Sequence, residues 1–146
     1  MKVSTKGRYG LRIMTELASK YGEGSVLAET IAGDQEISVK YIHNIVSALK
    51  SAGLVRVARG RNGGYELARA PSQITALNVV NVLEGQISPS DCVLKKESCT
   101  RAGTCATRDI WVELGDAMTR VLGGVTLEQL AEKQKRRSNE PSSYTI

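Results

Sequence analysis

The sequence predicts a mainly helical fold with one small β-hairpin, an α+β chain in which helices do most of the packing. Three observations carry this. Val39, Ile42, Ile45, Val46 and Leu49 recur at helical spacing, with Lys40, His43, Asn44 and Ser47 on the opposite face. Val55 and Val57 alternate with Arg56, and Tyr65 and Leu67 alternate with Glu66, on either side of Asn62-Gly63-Gly64, residues that tolerate the positive φ of hairpin turns. A long seam of Ile110, Trp111, Leu114, Ala117, Met118, Val121 and Leu122 marks the longest amphipathic element. Two helices joined by a short turn and followed at once by a basic hairpin make a winged helix-turn-helix, and the long seam supplies a dimerisation helix.

The first helix is expected over about Gly7–Lys20, with Leu11, Met14, Leu17, Ala18 and Tyr21 as its buried stripe. Lys6, Arg8 and Arg12 crowd its first turns. Cations are disfavoured there by the helix macrodipole, which hints at a nearby anion such as phosphate. Ser25 is positioned to cap a second helix, Val26–Ala32, which Gly33 would end. Ser38 caps the third, Val39–Ser51, and Gly53 stops it. The strands Leu54–Arg59 and Tyr65–Ala68 follow. Thr75 caps a fourth, apolar helix closed by Gly85. Gln86–Gly103 reads as irregular, because Pro89 and its Ser, Lys and Gly content break regular structure. A fifth helix covers Thr104–Leu122. Thr126 with Gln129 forms a capping box for a sixth, Leu127–Lys135. These elements divide into residues 1–72 as a winged head, 73–135 as cysteine loop and dimerisation helices, and 136–146 as a polar, mobile tail.

The chain carries a net charge of +5, a sequence pI of about 9.2, one Trp and no Phe, so aliphatic side chains must build the core. The charge is mild for a nucleic-acid partner, and its placement matters more than its total. Ile37–Leu67 holds Lys40, Lys50, Arg56, Arg59 and Arg61 against Glu66 alone. A helix with a basic polar front suits the major groove, and arginines at a wing tip suit the minor groove or phosphate. No apolar run approaches the ~20 residues of a membrane span. The N-terminus lacks a signal-peptide core, which predicts a cytoplasmic protein with no membrane partner. The sole histidine, His43, has no nucleophile beside it, so an enzyme is the least expected class.

Three cysteines, Cys92, Cys99 and Cys105, are spaced C-x6-C-x5-C. An odd, crowded set is a poor disulfide framework and points to metal or redox chemistry in a reducing compartment. Zinc usually takes close C-x2-C pairs, which are absent; an iron–sulfur centre tolerates wider spacing.

STKGRYGL at Ser4–Leu11, the helix Ser38–Ser51, the wing RGRNGGY at Arg59–Tyr65, and three cysteines before a Trp-bearing helix resemble the IscR-like family of winged-helix regulators over residues 1–135. The resemblance implies a homodimer that binds a partly palindromic double-stranded DNA operator. By resemblance Tyr41, His43 and Asn44 fall in the base-reading segment, and with Lys6, Arg8, Ser38, Lys40, Arg59, Gly60 and Arg61 they make up the expected DNA contacts. It also implies a 2Fe-2S cluster on Cys92, Cys99 and Cys105 that controls operator binding, with iron–sulfur biogenesis genes as targets. The chain departs from the pattern in places. The loop holds one residue more than the relatives' common x5 and x5 spacing. Arg108 stands where one branch has a ligating His, Arg8 where others have an acidic ligand, and His43 where a cluster-sensing member has Glu. Asp91, Glu97, Asp109 or an exogenous thiol remain as fourth ligands. Ile74–Pro89 and Tyr144-Thr145-Ile146 look closer to the CymR-like branch, whose members generally lack the cysteine trio and respond through a partner enzyme. The alternatives are therefore a cysteine- and sulfur-metabolism repressor, a thiol-redox regulator without a cluster, or a thiol- or zinc-binding interaction protein.

Overall fold

The structure is a computed structural model that describes residues 2–61 and 63–140. Helices α1 (Thr5–Ser19), α2 (Ala28–Gln35) and α3 (Val39–Ser51) are followed by antiparallel strands β1 (Val55–Ala58) and β2 (Gly64–Leu67). After a 3-10 turn at Pro71–Gln73 come α4 (Ala76–Glu84), a single-turn α5 (Asp91–Leu94), a 3-10 turn at Lys96–Ser98, the long α6 (Ala106–Gly123), and α7 (Leu127–Asn139). The fold is mainly α with a two-stranded sheet, as the sequence predicts. The strands pair Val55 with Leu67 and Val57 with Tyr65.

One core unites the head. Ile13, Met14 and Leu17 from α1, Ile31 from α2, Ile42, Ile45, Val46 and Leu49 from α3, and Leu67 from β2 are all at 2 % exposure or less. Ile74, Val79 and Leu127 join the same cluster, so α4 and α7 pack onto the winged head from beyond the expected division at residue 72. The chain holds them there with paired caps. Thr75 and Asn78 form one capping box, Thr126 and Gln129 another. A backbone bridge joins the two starts: Ala76 N–H donates to Val125 O and Leu127 N–H to Ile74 O, both at 2.9 Å. Each box satisfies amide donors that a helix start otherwise leaves open.

Several expected boundaries move. Helix α1 starts at Thr5, with the Ser4 hydroxyl accepting from Gly7 N–H, and Ile13 rather than Tyr21 completes its stripe; Tyr21 is 49 % exposed. Helix α2 begins at Ala28, not Val26, because Val26 is tied to Tyr65 of the wing by two 2.8 Å hydrogen bonds in an isolated antiparallel bridge. Its end is set by Glu36 at φ 55, not by Gly33, which lies inside the helix. Among the described residues of the wing turn, Gly60 takes a positive φ of 110°. Asn62 and the Tyr144-Thr145-Ile146 segment lie outside the described residues. The loop from Gln86 to Gly103 is less irregular than expected, since α5 and a 3-10 turn form inside it. Helix α7 continues to Asn139, past the expected end at Lys135.

These differences are testable through two glycines. A Cβ on Gly64 would stand 2.3 Å from the Val26 carbonyl oxygen and 2.9 Å from Leu27 N, and backbone cannot yield cheaply. Gly64→Ala is expected to cost roughly 2–3 kcal/mol by prising the wing from Val26. Gly33→Ala meets nothing within 4 Å and should stabilise by about 0.5–1 kcal/mol, as alanine does inside a helix. Thermal unfolding of both variants checks this. A loss on Gly33→Ala would place that residue at a left-handed helix end instead.

Candidate nucleic-acid interface and cysteine loop

Helix α3 turns Ile42, Ile45, Val46 and Leu49 into the core and leaves Lys40, His43 and Asn44 exposed. Ser38 caps it, its hydroxyl accepting from Tyr41 N–H at 3.2 Å. Tyr41 is half-buried: its ring meets Tyr9 of α1 edge-on, centroids 5.9 Å apart. Arg12 stacks 5.3 Å over Tyr9, and Arg8 lies 6.0 Å from its centroid.

Helix α1 also fixes the turn before α3. Arg12 donates to the Gln35 side-chain oxygen at 3.1 Å and to its backbone carbonyl. Gln35 in turn donates to Glu16, which is buried and also receives Lys20 at 2.9 Å. Burial pushes the Glu16 carboxyl up, partly offset by the Lys20 and Gln35 hydrogen bonds, while Lys20 holds exposed Asp34 below the usual carboxylate range. Sequence reasoning missed Glu16 and Gln35, and with them the structural role of Arg12. Their signal is polar residues on or beside an otherwise apolar α1 face.

Of the other expected contacts, Lys6 is half-buried and Arg8 exposed, with Arg8 donating to the Thr5 hydroxyl at 3.3 Å. The start of α1 already receives an anion from within: Ser4 N–H donates to the Glu84 carboxylate at 2.8 Å. Arg59, Gly60 and Arg61 are exposed where the wing bends, and no ion pair holds either arginine among the described residues. Arg56 is instead paired across the hairpin with Glu66 at 3.1 Å. The wing reaches back to α3 through Tyr65, whose hydroxyl meets His43 Nδ1.

The thiols occupy the link between head and long helix. Cys92 lies in α5, Cys99 follows the 3-10 turn, and Cys105 is the residue before α6; all three are free. Cys92 Sγ is 3.2 Å from the Ser90 hydroxyl, and Arg108 Nε donates to Cys92 O at 3.1 Å, tying α5 to the start of α6. Cys105 Sγ is 3.2 Å from the Thr107 hydroxyl. That contact and the Arg108 amide at the head of α6 hold the Cys105 thiol below its ordinary range. A depressed pKa favours the thiolate, the nucleophilic form, and so predicts reactivity at Cys105. With Cys92 and Cys99 replaced by Ser, iodoacetamide should alkylate Cys105 with a pH–rate midpoint below that of an unperturbed thiol. A midpoint at or above the ordinary value would remove this assignment.

By chemistry the set suits a soft metal centre: three thiols on one loop, one biased to the thiolate. By geometry it is not drawn together, since no three Cys, His, Asp or Glu side chains converge as a metal-binding group among the described residues. Arg108 is engaged with the loop backbone and supplies no fourth ligand.

A family profile described as an iron-dependent transcriptional regulator, Rrf2, matches residues 3–133. The chain belongs to the Rrf2 family of transcription regulators. It is 46 % identical over 131 residues to the HTH-type transcriptional regulator CymR of Bacillus subtilis, covering 90 % of each chain. The solved structure of that CymR, described as the global cysteine regulator of B. subtilis, superposes with a TM-score of 0.79, covering 91 % of this chain and 98 % of that one at 44 % identity. The structure of T. potens IscR superposes with a TM-score of 0.77 at 33 % identity, covering 99 % of this chain and 95 % of that one. This Rrf2 member is thus a DNA-binding transcription regulator and not an enzyme. No helix among its described residues is long and apolar enough to cross a membrane.

Proposed function

We propose that this Rrf2 regulator acts as a homodimer on a partly palindromic operator, and that the three-thiol loop is its input, holding a 2Fe-2S cluster on Cys92, Cys99 and Cys105. The observation that carries the reading is positional. The free thiols lie on the only covalent link between α4, which is packed into the head core, and α6, of whose residues Gly115 alone is buried. A change of thiol state at that link alters how two heads are held relative to one another.

On this reading Lys40, Tyr41, His43 and Asn44 form the base-reading segment in the major groove, with Ser38 capping the helix start. Arg59, Gly60 and Arg61 serve the minor groove, and Lys6 and Arg8 backbone phosphate. A bound cluster would supply an oxygen- and redox-sensitive crosslink between three points of the loop. For it to form, Cys92, Cys99 and Cys105 must be drawn together, and Arg108 must release or carry with it the Cys92 carbonyl. The fourth ligand comes from Asp91, Glu97, Asp109 or an exogenous thiol. Control of iron–sulfur biogenesis genes is the corresponding output.

A second reading has its own support. The 46 % identity to CymR, whose solved structure is described as that of a global cysteine regulator, favours regulation of cysteine metabolism without a cluster, and the three free thiols then leave oxidation as their input. One experiment separates them: purification without oxygen, with iron and sulfide counted and the visible spectrum recorded. A coloured protein with two irons and two sulfides per chain, lost in the Cys92→Ser variant, supports the cluster. A colourless protein without iron leaves the thiol-redox reading.

A further inference from the structure

His43 is the chain's single histidine and stands on the exposed face of α3, one turn in from its Ser38 cap. Its ring is not left to solvent alone. Tyr65 approaches it edge-on, centroids 5.9 Å apart at 71°, and the Tyr65 hydroxyl meets His43 Nδ1. Tyr65 is itself firmly placed. It pairs with Val57 across the hairpin, and its own amide and carbonyl are both bonded to Val26 at 2.8 Å. The contact therefore joins a fixed strand residue to a helix residue 22 positions earlier.

The direction of that hydrogen bond decides what His43 offers elsewhere. A phenol O–H is a good donor, and a neutral imidazole has one bare nitrogen to accept it. Burial of Tyr65, and then the charge of Glu29, push its hydroxyl pKa up and keep the proton on oxygen. With Nδ1 accepting, the ring hydrogen lies on Nε2. The opposite tautomer would leave Nε2 as an acceptor. In the major groove the two states ask for different bases: a donor is best matched by guanine, which offers both O6 and N7 where adenine offers only N7 and thymine only O4, and an acceptor matches the amino groups of cytosine or adenine.

We infer that Tyr65 is a positioning residue that holds His43 in its Nε2–H tautomer, so that α3 presents a donor and selects guanine at one position of each half-site. The inference rests on the reading of α3 as the base-reading helix. It places part of the operator choice in the wing, on a side chain that need not touch DNA.

Two measurements on the full chain test it. Long-range 15N–1H spectra of the free protein contain one imidazole. The wild type should show Nε2 protonated and Nδ1 bare, and Tyr65→Phe, which keeps the ring and removes only the hydroxyl, should shift the signal toward a tautomer mixture. Selection from a randomised duplex library should recover guanine with wild type, and Tyr65→Phe should lower that preference roughly five- to tenfold. His43→Lys, a donor in any environment, should keep the preference and make it indifferent to Tyr65→Phe. A wild-type spectrum with Nδ1 protonated overturns the inference. So does a Tyr65→Phe chain that loses affinity equally for all sequences. A wild-type chain that selects no sequence overturns the reading of α3, and the inference with it, while the spectrum still reports the contact by itself.

Discussion

A chain carrying Ile110→Glu and Val121→Glu is expected to be monomeric and to bind its operator about 10²–10⁴-fold more weakly, the range expected when two tethered sites become independent. Helix α6 is the reason. Gly115 turns inward against Pro89 and Val93, and it is the helix's one buried residue. Ile110 is 59 % exposed and Val121 64 % exposed; they lie eleven residues apart, about three helical turns, and so share a side. Leu114 and Ala117, half-buried between them, continue the stripe. An apolar stripe of this length goes beyond singly scattered surface exposure, and in the proposed dimer the partner's copy of the same stripe would cover it with two-fold symmetry. Covering each large side chain contributes roughly 1.5–3 kcal/mol, and the symmetry counts every substitution twice. Sedimentation and operator titration of the double variant decide the matter. A variant that stays dimeric shows that the interface lies elsewhere.

Helix ends governed by neighbours in sequence were legible before the structure. Ser38 capping Val39–Ser51 and the Thr126–Gln129 box belong to this class, because each uses contacts within four residues. What was not legible depends on residues far apart along the chain. Ser25 and Gly33 mark a helix by local rules. Val26 leaves that helix because it pairs with Tyr65, 39 positions later, and the helix then slides on until Glu36 adopts the left-handed turn. The Glu84 carboxylate at Ser4, 80 positions away, fills a site that composition alone would offer to phosphate. Tyr21 drops out of the core stripe because α1 ends at Ser19, two residues before it, while Ile13 joins Met14, Leu17 and Ala18 on the buried face. In the candidate site, the exposed faces of α3 and the wing were legible from periodicity. The link between them through Tyr65 was not, since Tyr65 reads locally as an alternating strand residue. The cysteine spacing named the donors but not their positions, because a loop with few core contacts has no periodicity to read.

The wing tip is expected to supply affinity rather than sequence choice, and Arg59→Ala with Arg61→Ala tests it. Both arginines are exposed beside Gly60, whose φ of 110° bends the wing and keeps a Cβ out of the turn. Neither is neutralised by an acid among the described residues, whereas Arg56 one strand away is paired with Glu66. A cation left unpaired at a projecting tip is available to the DNA backbone or the narrow minor groove. Every phosphate that a cation no longer neutralises makes the slope of log affinity against log salt shallower by about 0.9, so the double variant, which removes four arginines from a dimer, should bind with a slope shallower by roughly four. Affinity near physiological salt should fall about 10- to 100-fold, to a similar degree for operator and unrelated duplex. His43→Ala should do the reverse, keeping the slope and losing discrimination. Anisotropy titrations over a salt series distinguish them. If the slope stays at its wild-type value, the tip does not touch the backbone, and α3 must hold the operator with the basic turn of α1 alone.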